Sequence, residues 1–118
     1  MQDGFQTLAE QKVDRRYNPL PFLVYLKESK IHGYGIFAKK NIAEQIFIGI
    51  SHMDNNDFID NLLRTPLGGY INHSDNPNCI RIQEANSPYH YIKTTKFIKK
   101  GEELTCKYSL YSIGTTNT

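Results

Sequence analysis

A run of small, polar and cyclic side chains concentrates the chain's capacity for specific hydrogen bonding. Gly68, Gly69, Tyr70 and Ile71 lead into Asn72, His73, Ser74, Asp75, Asn76, Pro77 and Asn78, and Cys79 closes the stretch. Asn, Ser and Asp side chains bond nearby main chain, while Pro77 fixes one torsion and biases Asn76 toward extended backbone. Such a segment reads as a turn of one shape, not a helix or strand interior, and can present amides and carbonyls to a ligand. Its plainest reading is a solvated connection. A second stretch, Gly33-Tyr34-Gly35 ahead of Ile36, Phe37 and Ala38, permits close approach to the main chain, although a lone G-x-G is first of all a hairpin turn. A third runs from Lys100 and Gly101 through Glu102, Glu103, Leu104, Thr105 and Cys106 to Tyr108.

The totals bound what these residues can belong to. With 118 residues the chain has room for one core. A mean hydropathy of -0.53 suits a soluble globule, and no apolar run approaches the ~20 residues of a membrane span. The first residues lack the basic and apolar regions of a signal peptide, so an intracellular protein is expected. Cys79 and Cys106 stand apart without a C-x-x-C pair, which signals neither a disulfide framework nor zinc; buried free thiols are the expectation. Asp54, Asp57 and Asp60 lack the glycine-punctuated loop and closing Glu of a calcium hand. A net charge of +2 neither demands nor excludes nucleic acid.

The elements that must position these residues are mostly strands. Residues 1–21 form a polar arm with a possible short helix over 5–13, bounded by Pro19 and Pro21. Residues 22–27 read as a buried strand, and Ile42, Ile46, Phe47, Ile48 and Ile50 mark a second β-rich segment. The polar run 51–60 reads as a short helix or irregular insert. Residues 79–83 and 89–94 alternate as a hairpin joined by Asn86, Ser87 and Pro88, and a turn at Lys100-Gly101 feeds a last short strand. Residues 112–118 read as a flexible tail. Several short strands, little helix and no βαβ rhythm predict a mainly β fold of small sheets.

The three stretches, taken in order, resemble blocks of the SET-domain protein lysine methyltransferases: Gly33-Tyr34-Gly35, then Tyr70-Ile71-Asn72-His73-Ser74 with Asn76-Pro77-Asn78-Cys79, then Gly101-Glu102-Glu103-Leu104-Thr105 with Tyr108. The resemblance spans residues 22–111, and the short insert between its halves is similar to the minimal stand-alone SET proteins of viruses and bacteria. It implies a β-clip fold of small curled sheets with a C-terminal pseudoknot, one of the rare threaded topologies. It implies an enzyme that moves a methyl group from S-adenosylmethionine to a lysine amine of a protein or peptide, leaving S-adenosylhomocysteine. By the same resemblance, the main chain of His32, Gly33, Tyr34 and Gly35, together with Tyr70, Asn72, His73 and Tyr108, binds the cofactor. Tyr108 places its hydroxyl beside the moving methyl, and Cys106, Tyr108 and Tyr111 line the lysine channel. The ring of His73 is expected to pack in the core, and no metal is expected.

Some positions depart from the family pattern. Asp75 stands where many members carry a zinc-binding cysteine, so the site must be closed by the arm, the tail or a second copy, and a homodimer is expected on that ground. Gln45-Ile46 replaces the usual Gly-Glu pair. Cys106 replaces a bulkier aromatic, which leaves room for more than one methyl on the amine. The substrate, histone or non-histone, is not specified by a slightly basic chain. An inactive SET-like peptide-binding module and a small β-barrel nucleic-acid binder are the competing readings; the latter would show steep salt dependence.

Overall fold

The computed structural model describes residues 19–58, 60–107 and 111–114. The expected helix over 5–13 therefore lies outside the described residues, as does Tyr108. Two small sheets and one short helix make up the architecture. The first sheet has the order β1 (Val24–Glu28), β2 (Tyr34–Ala38), β8 (Glu103–Cys106), β5 (Asn72–His73). The second has the order β4 (Leu62–Arg64), β3 (Phe47–Asp54), β7 (Tyr89–Thr94), β6 (Cys79–Glu84), β9 (Tyr111–Gly114). The helix α1 (Pro66–Tyr70) joins β4 to β5.

The threaded arrangement shows in the first sheet. Strand β8, late in the chain, lies between β2, to which it is antiparallel, and β5, to which it is parallel. Its approach is anchored by a bridge in which Ile42 and Ile98 exchange backbone hydrogen bonds of 2.8 Å each. Ile36 and Leu104 are paired across β2 and β8 and are both fully buried. They join Val24, Ala38, Leu67, Ile71, Cys79, Ile92 and Cys106 in one core between the sheets. Both neighbours of β8 come earlier in the chain, so its place in the sheet rests on non-local pairing.

Several expectations need revision. Residues 51–60 hold no helix among the described residues: Ser51–Asp54 extends β3, which pairs with β4 in register His52 with Arg64 and Asp54 with Leu62, and the irregular part of the run is confined to the turn after Asp54. Its strand propensity was hidden because β3 carries register shifts at Phe47/Gly49 and Ile50/His52 that break the alternation of buried and exposed residues. The glycine-rich start of the polar turn is the helix α1, capped by the Thr65 hydroxyl accepting from the Gly68 amide at 3.3 Å and begun at Pro66. Asn72 and His73 are strand, and residues 112–114 of the expected tail pair in parallel with β6.

Gly68 explains why a helix can be so poor in helix formers. A side chain there would land on the Ser51 carbonyl oxygen, so glycine is what lets α1 lie directly on β3; the neighbouring Gly69 has open space instead. Gly68→Ala is expected to destabilise the fold by about 2 kcal/mol or more through overpacking. Gly69→Ala, by contrast, should be neutral or stabilise by up to ~1 kcal/mol, since alanine favours helix. Chemical denaturation of the two variants checks the contrast.

Candidate active site

All three stretches meet at one carboxylate, that of Glu103. Ser29, at the end of β1, orders the loop to Gly33: its hydroxyl oxygen accepts from the amides of Ile31 and His32 at 2.9 and 3.4 Å, and its backbone amide donates to the Gly33 carbonyl at 2.7 Å. Gly33 takes a positive φ of 48°, the left-handed turn conformation that favours glycine. The same Ser29 hydroxyl donates to the Glu103 carboxylate at 2.8–2.9 Å. Gly35 then lies in β2 with no side chain, and a Cβ there would collide with that carboxylate. What approaches the main chain at Gly35 is thus the chain's own Glu103.

Asn72 completes the arrangement. Its side-chain nitrogen sits 2.8 Å from a Glu103 carboxylate oxygen, 3.1 Å from the His32 carbonyl and 3.4 Å from the Tyr34 carbonyl. All three partners are acceptors, so the NH2 group must face them, and the side-chain oxygen is the atom left for a ligand. Asn78 repeats the logic a turn later: its NH2 donates to the Glu103 carbonyl at 2.9 Å and its oxygen accepts from the Thr105 amide at 2.8 Å. The 72–78 turn is thereby fastened along β8, with the Ser74 amide donating to the Cys106 carbonyl at 2.9 Å.

Other predicted site residues fall as follows. His32, Tyr34 and Tyr70 are exposed around this network. The ring of His73 does not pack in the core: Asn72 is the inward residue of the two-residue strand, and the half-exposed His73 ring meets Asp75 at 3.1 Å. Cys106 is 4% exposed, and burial pushes its thiol pKa up to about 12, only partly opposed by Arg81. Burial raises Cys79 as well, with Cys106 adding to the shift. Both thiols stay protonated at neutral pH, so Cys106 is a wall and not a nucleophile. Tyr111 lies in β9, alongside Arg81 of β6.

Behind the turn is a cavity of about 320 Å³, lined by Ile71 and Cys106 with the glycines of α1, and by His52, Arg64, Arg81, Ile92 and Lys107. His52 is a residue that sequence reasoning missed. In a regular strand Ser51 and His52 would face opposite ways, yet both are buried, because the register shift at Ile50/His52 turns them inward together. Burial, reinforced by Arg81, Arg64 and His90 and opposed only by Asp60, lowers the His52 pKa to about 4. Nearby, Arg64 pairs with Asp60 at 2.7 Å, and Asp54 accepts from His90 at 2.8 Å and Gln83 at 2.7 Å. The hydrogen bond from His90 chiefly holds the Asp54 carboxyl below its ordinary range.

Comparison with known proteins places these elements. The model of the SET domain matches residues 50–109. The chain belongs to the SET-domain family. The Drosophila melanogaster histone-lysine N-methyltransferase trr is 32% identical in an alignment 114 positions long that covers 72% of this chain and 5% of that protein. This chain therefore corresponds to a small part of that relative. A candidate histone methyltransferase of Plasmodium falciparum superposes with a TM-score of 0.61 at 26% identity, over 72% of this chain and 91% of that one. A humanized mutant of the Chaetomium thermophilum Polycomb Repressive Complex 2, bound to the inhibitor GSK126, shares the fold at a TM-score of 0.59 and 22% identity, over 72% of this chain and 14% of that one.

Two outcomes test the geometry of the SET domain without any ligand. In Glu103→Gln the carboxamide cannot accept from Ser29 and Asn72 on both of its polar atoms, so amide exchange at Ile31 and His32 should quicken by about tenfold, the worth of one charge-assisted hydrogen bond. Hydrogen-exchange mass spectrometry reads this directly. For His52 the sign is also set: unfolded, the ring takes a proton below pH 6.5, whereas folded it resists protonation down to about 4. Stability should fall as pH drops through that window, and His52→Phe should flatten the slope in urea titrations.

Proposed function

We propose that this SET domain is a protein-lysine N-methyltransferase that uses S-adenosylmethionine. The observation that carries the reading is the hydrogen bond of 3.1 Å between Asn72 and the His32 carbonyl, residues 40 apart in sequence. It brings the Gly33 loop to one side of the 72–78 turn while the cavity bounded by Cys106 lies behind that turn. One side then suits the cofactor and the other the amine.

The residues present fit a cationic, amino-acid-like cofactor. Glu103 supplies a carboxylate, the loop supplies carbonyl oxygens, the Asn72 side-chain oxygen is left over, and open space surrounds the Cβ direction of Gly33. The main chain of His32, Gly33, Tyr34 and His73 would hold the cofactor, with Gly35, Tyr70 and Tyr108 beside it. Bound there, S-adenosylmethionine would supply a methyl group on a sulfonium, whose C–S bond breaks with its electron pair going to sulfur as a lysine nitrogen bonds the methyl carbon. The chain's part is to align the partners and exclude water, because an in-line displacement gains most from positioning. The amine must be neutral, whereas an exposed lysine has a pKa of about 10.4. Burial in a cavity that also holds guanidinium groups favours that neutral form. Cys106 is small for this wall, so more than one methyl fits. A protein or peptide carries the lysine, and histones are the class that the relatives' names point to.

Incubation with labelled S-adenosylmethionine and extracts or histones is expected to label protein. Tyr108→Phe and Asn72→Ala should each lose most transfer, and calorimetry with S-adenosylhomocysteine should show affinity falling further in Asn72→Ala than in Tyr108→Phe. Binding without transfer to any protein would favour a peptide-binding module and end the enzymatic reading.

A further inference from the structure

The lining of the cavity contains a buried imidazole whose role the methyl-transfer reading leaves open. His52 is 6% exposed, so it is buried except where it meets the cavity. Its Nδ1 lies 2.8 Å from the Ser51 hydroxyl, and that hydroxyl donates in turn toward the His90 carbonyl at 3.5 Å. With the hydroxyl proton directed to a carbonyl, the oxygen accepts from Nδ1–H. In the Nδ1–H tautomer that this pairing admits, Nε2 keeps a lone pair. Among the described residues Nε2 has no hydrogen-bond partner.

The surroundings keep that lone pair unprotonated. Arg81 faces the ring from β6, Arg64 from β4 and His90 from β7, with the His90 ring at a centroid distance of 6.0 Å; Asp60, tied to Arg64, opposes them. Cys106 and Lys107, at the end of β8, complete the wall, and the Cys106 thiol stays neutral. An acceptor that faces the cavity can take a hydrogen bond from an N–H entering it. Gly68 lets the ring stand there, since a Cβ on that residue would come within 3.1 Å of the imidazole Cε1.

We propose that His52 contacts the acceptor amine, its Nε2 accepting a hydrogen bond from the neutral lysine N–H in the cavity behind the 72–78 turn and so turning the nitrogen lone pair toward the methyl donor. The inference rests on the methyltransferase reading and adds a limit to it. An unmethylated or monomethylated amine has an N–H to give, whereas a neutral dimethylated amine has none. His52 therefore assists the first and second transfers and not the third.

The test uses synthetic peptides each carrying a single lysine in its unmodified, monomethylated or dimethylated form, with kcat/KM followed by mass spectrometry. For wild type the first two forms should react well and the dimethylated form much more slowly. His52→Phe should lower kcat/KM on the first two by about tenfold, leave the dimethylated rate unchanged and keep its affinity for S-adenosylhomocysteine. His52→Gln, which retains an acceptor oxygen, should recover part of the loss. Nitrogen NMR of the wild-type histidines gives an independent reading, with Nε2 of His52 expected to be unprotonated at neutral pH. A proton on Nε2 overturns the inference, as does a His52→Phe enzyme that treats the three peptide forms as wild type does. A wild type that methylates none of the peptides or extracts overturns instead the reading on which this one rests.

Discussion

Everything about the site depends on two asparagine side chains being fastened to one strand. Asn78 bonds the backbone of β8 at Glu103 and Thr105, and Asn72 bonds the Glu103 side chain. These are buried or half-buried polar groups, and each is satisfied by a partner far away in sequence. Leaving either without its partner exposes the fold to the full cost of desolvating an amide, which is larger than the net gain of making the bond. The turn is therefore held in a single arrangement, although its composition is that of a flexible connection.

Strand β8 also couples the two halves of the site. Glu103 reaches Ser29 and Asn72 on the side of the Gly33 loop, while Cys106, three residues on, lines the cavity behind the turn. A strand rises by about 3.3 Å per residue, so the two functions are fixed within about 10 Å of one another without any flexible linker. Rigid spacing of this kind is what alignment of a donor and an acceptor requires. The charges are sorted as well: a carboxylate and carbonyls stand on the side of the Gly33 loop, and guanidinium groups border the cavity behind the turn.

Lys27, Lys40 and Lys93 stand over the rings of Phe37, Phe22 and Phe47 at 5.1–5.5 Å, so part of the chain's positive charge is held in cation–π pairs. No helix among the described residues is long and apolar enough to cross a membrane.

The sequence by itself determined the class of fold. Alternating apolar residues made 79–83 and 89–94 legible as a hairpin, and the glycine, asparagine and Glu-Glu-Leu-Thr blocks marked stretches that the fold brings together around Asn72 and Glu103. Only the tertiary structure decided three other matters. It showed that Gly35 is empty to admit Glu103, a contact between residues far apart in the chain that no local pattern encodes. It turned His73 outward to Asp75, because side-chain direction in a two-residue strand is set by its partner strand and not by residue type. It brought His52 into the cavity through a bulge, and a bulge is invisible to periodicity because it breaks the very alternation by which a buried residue is recognised.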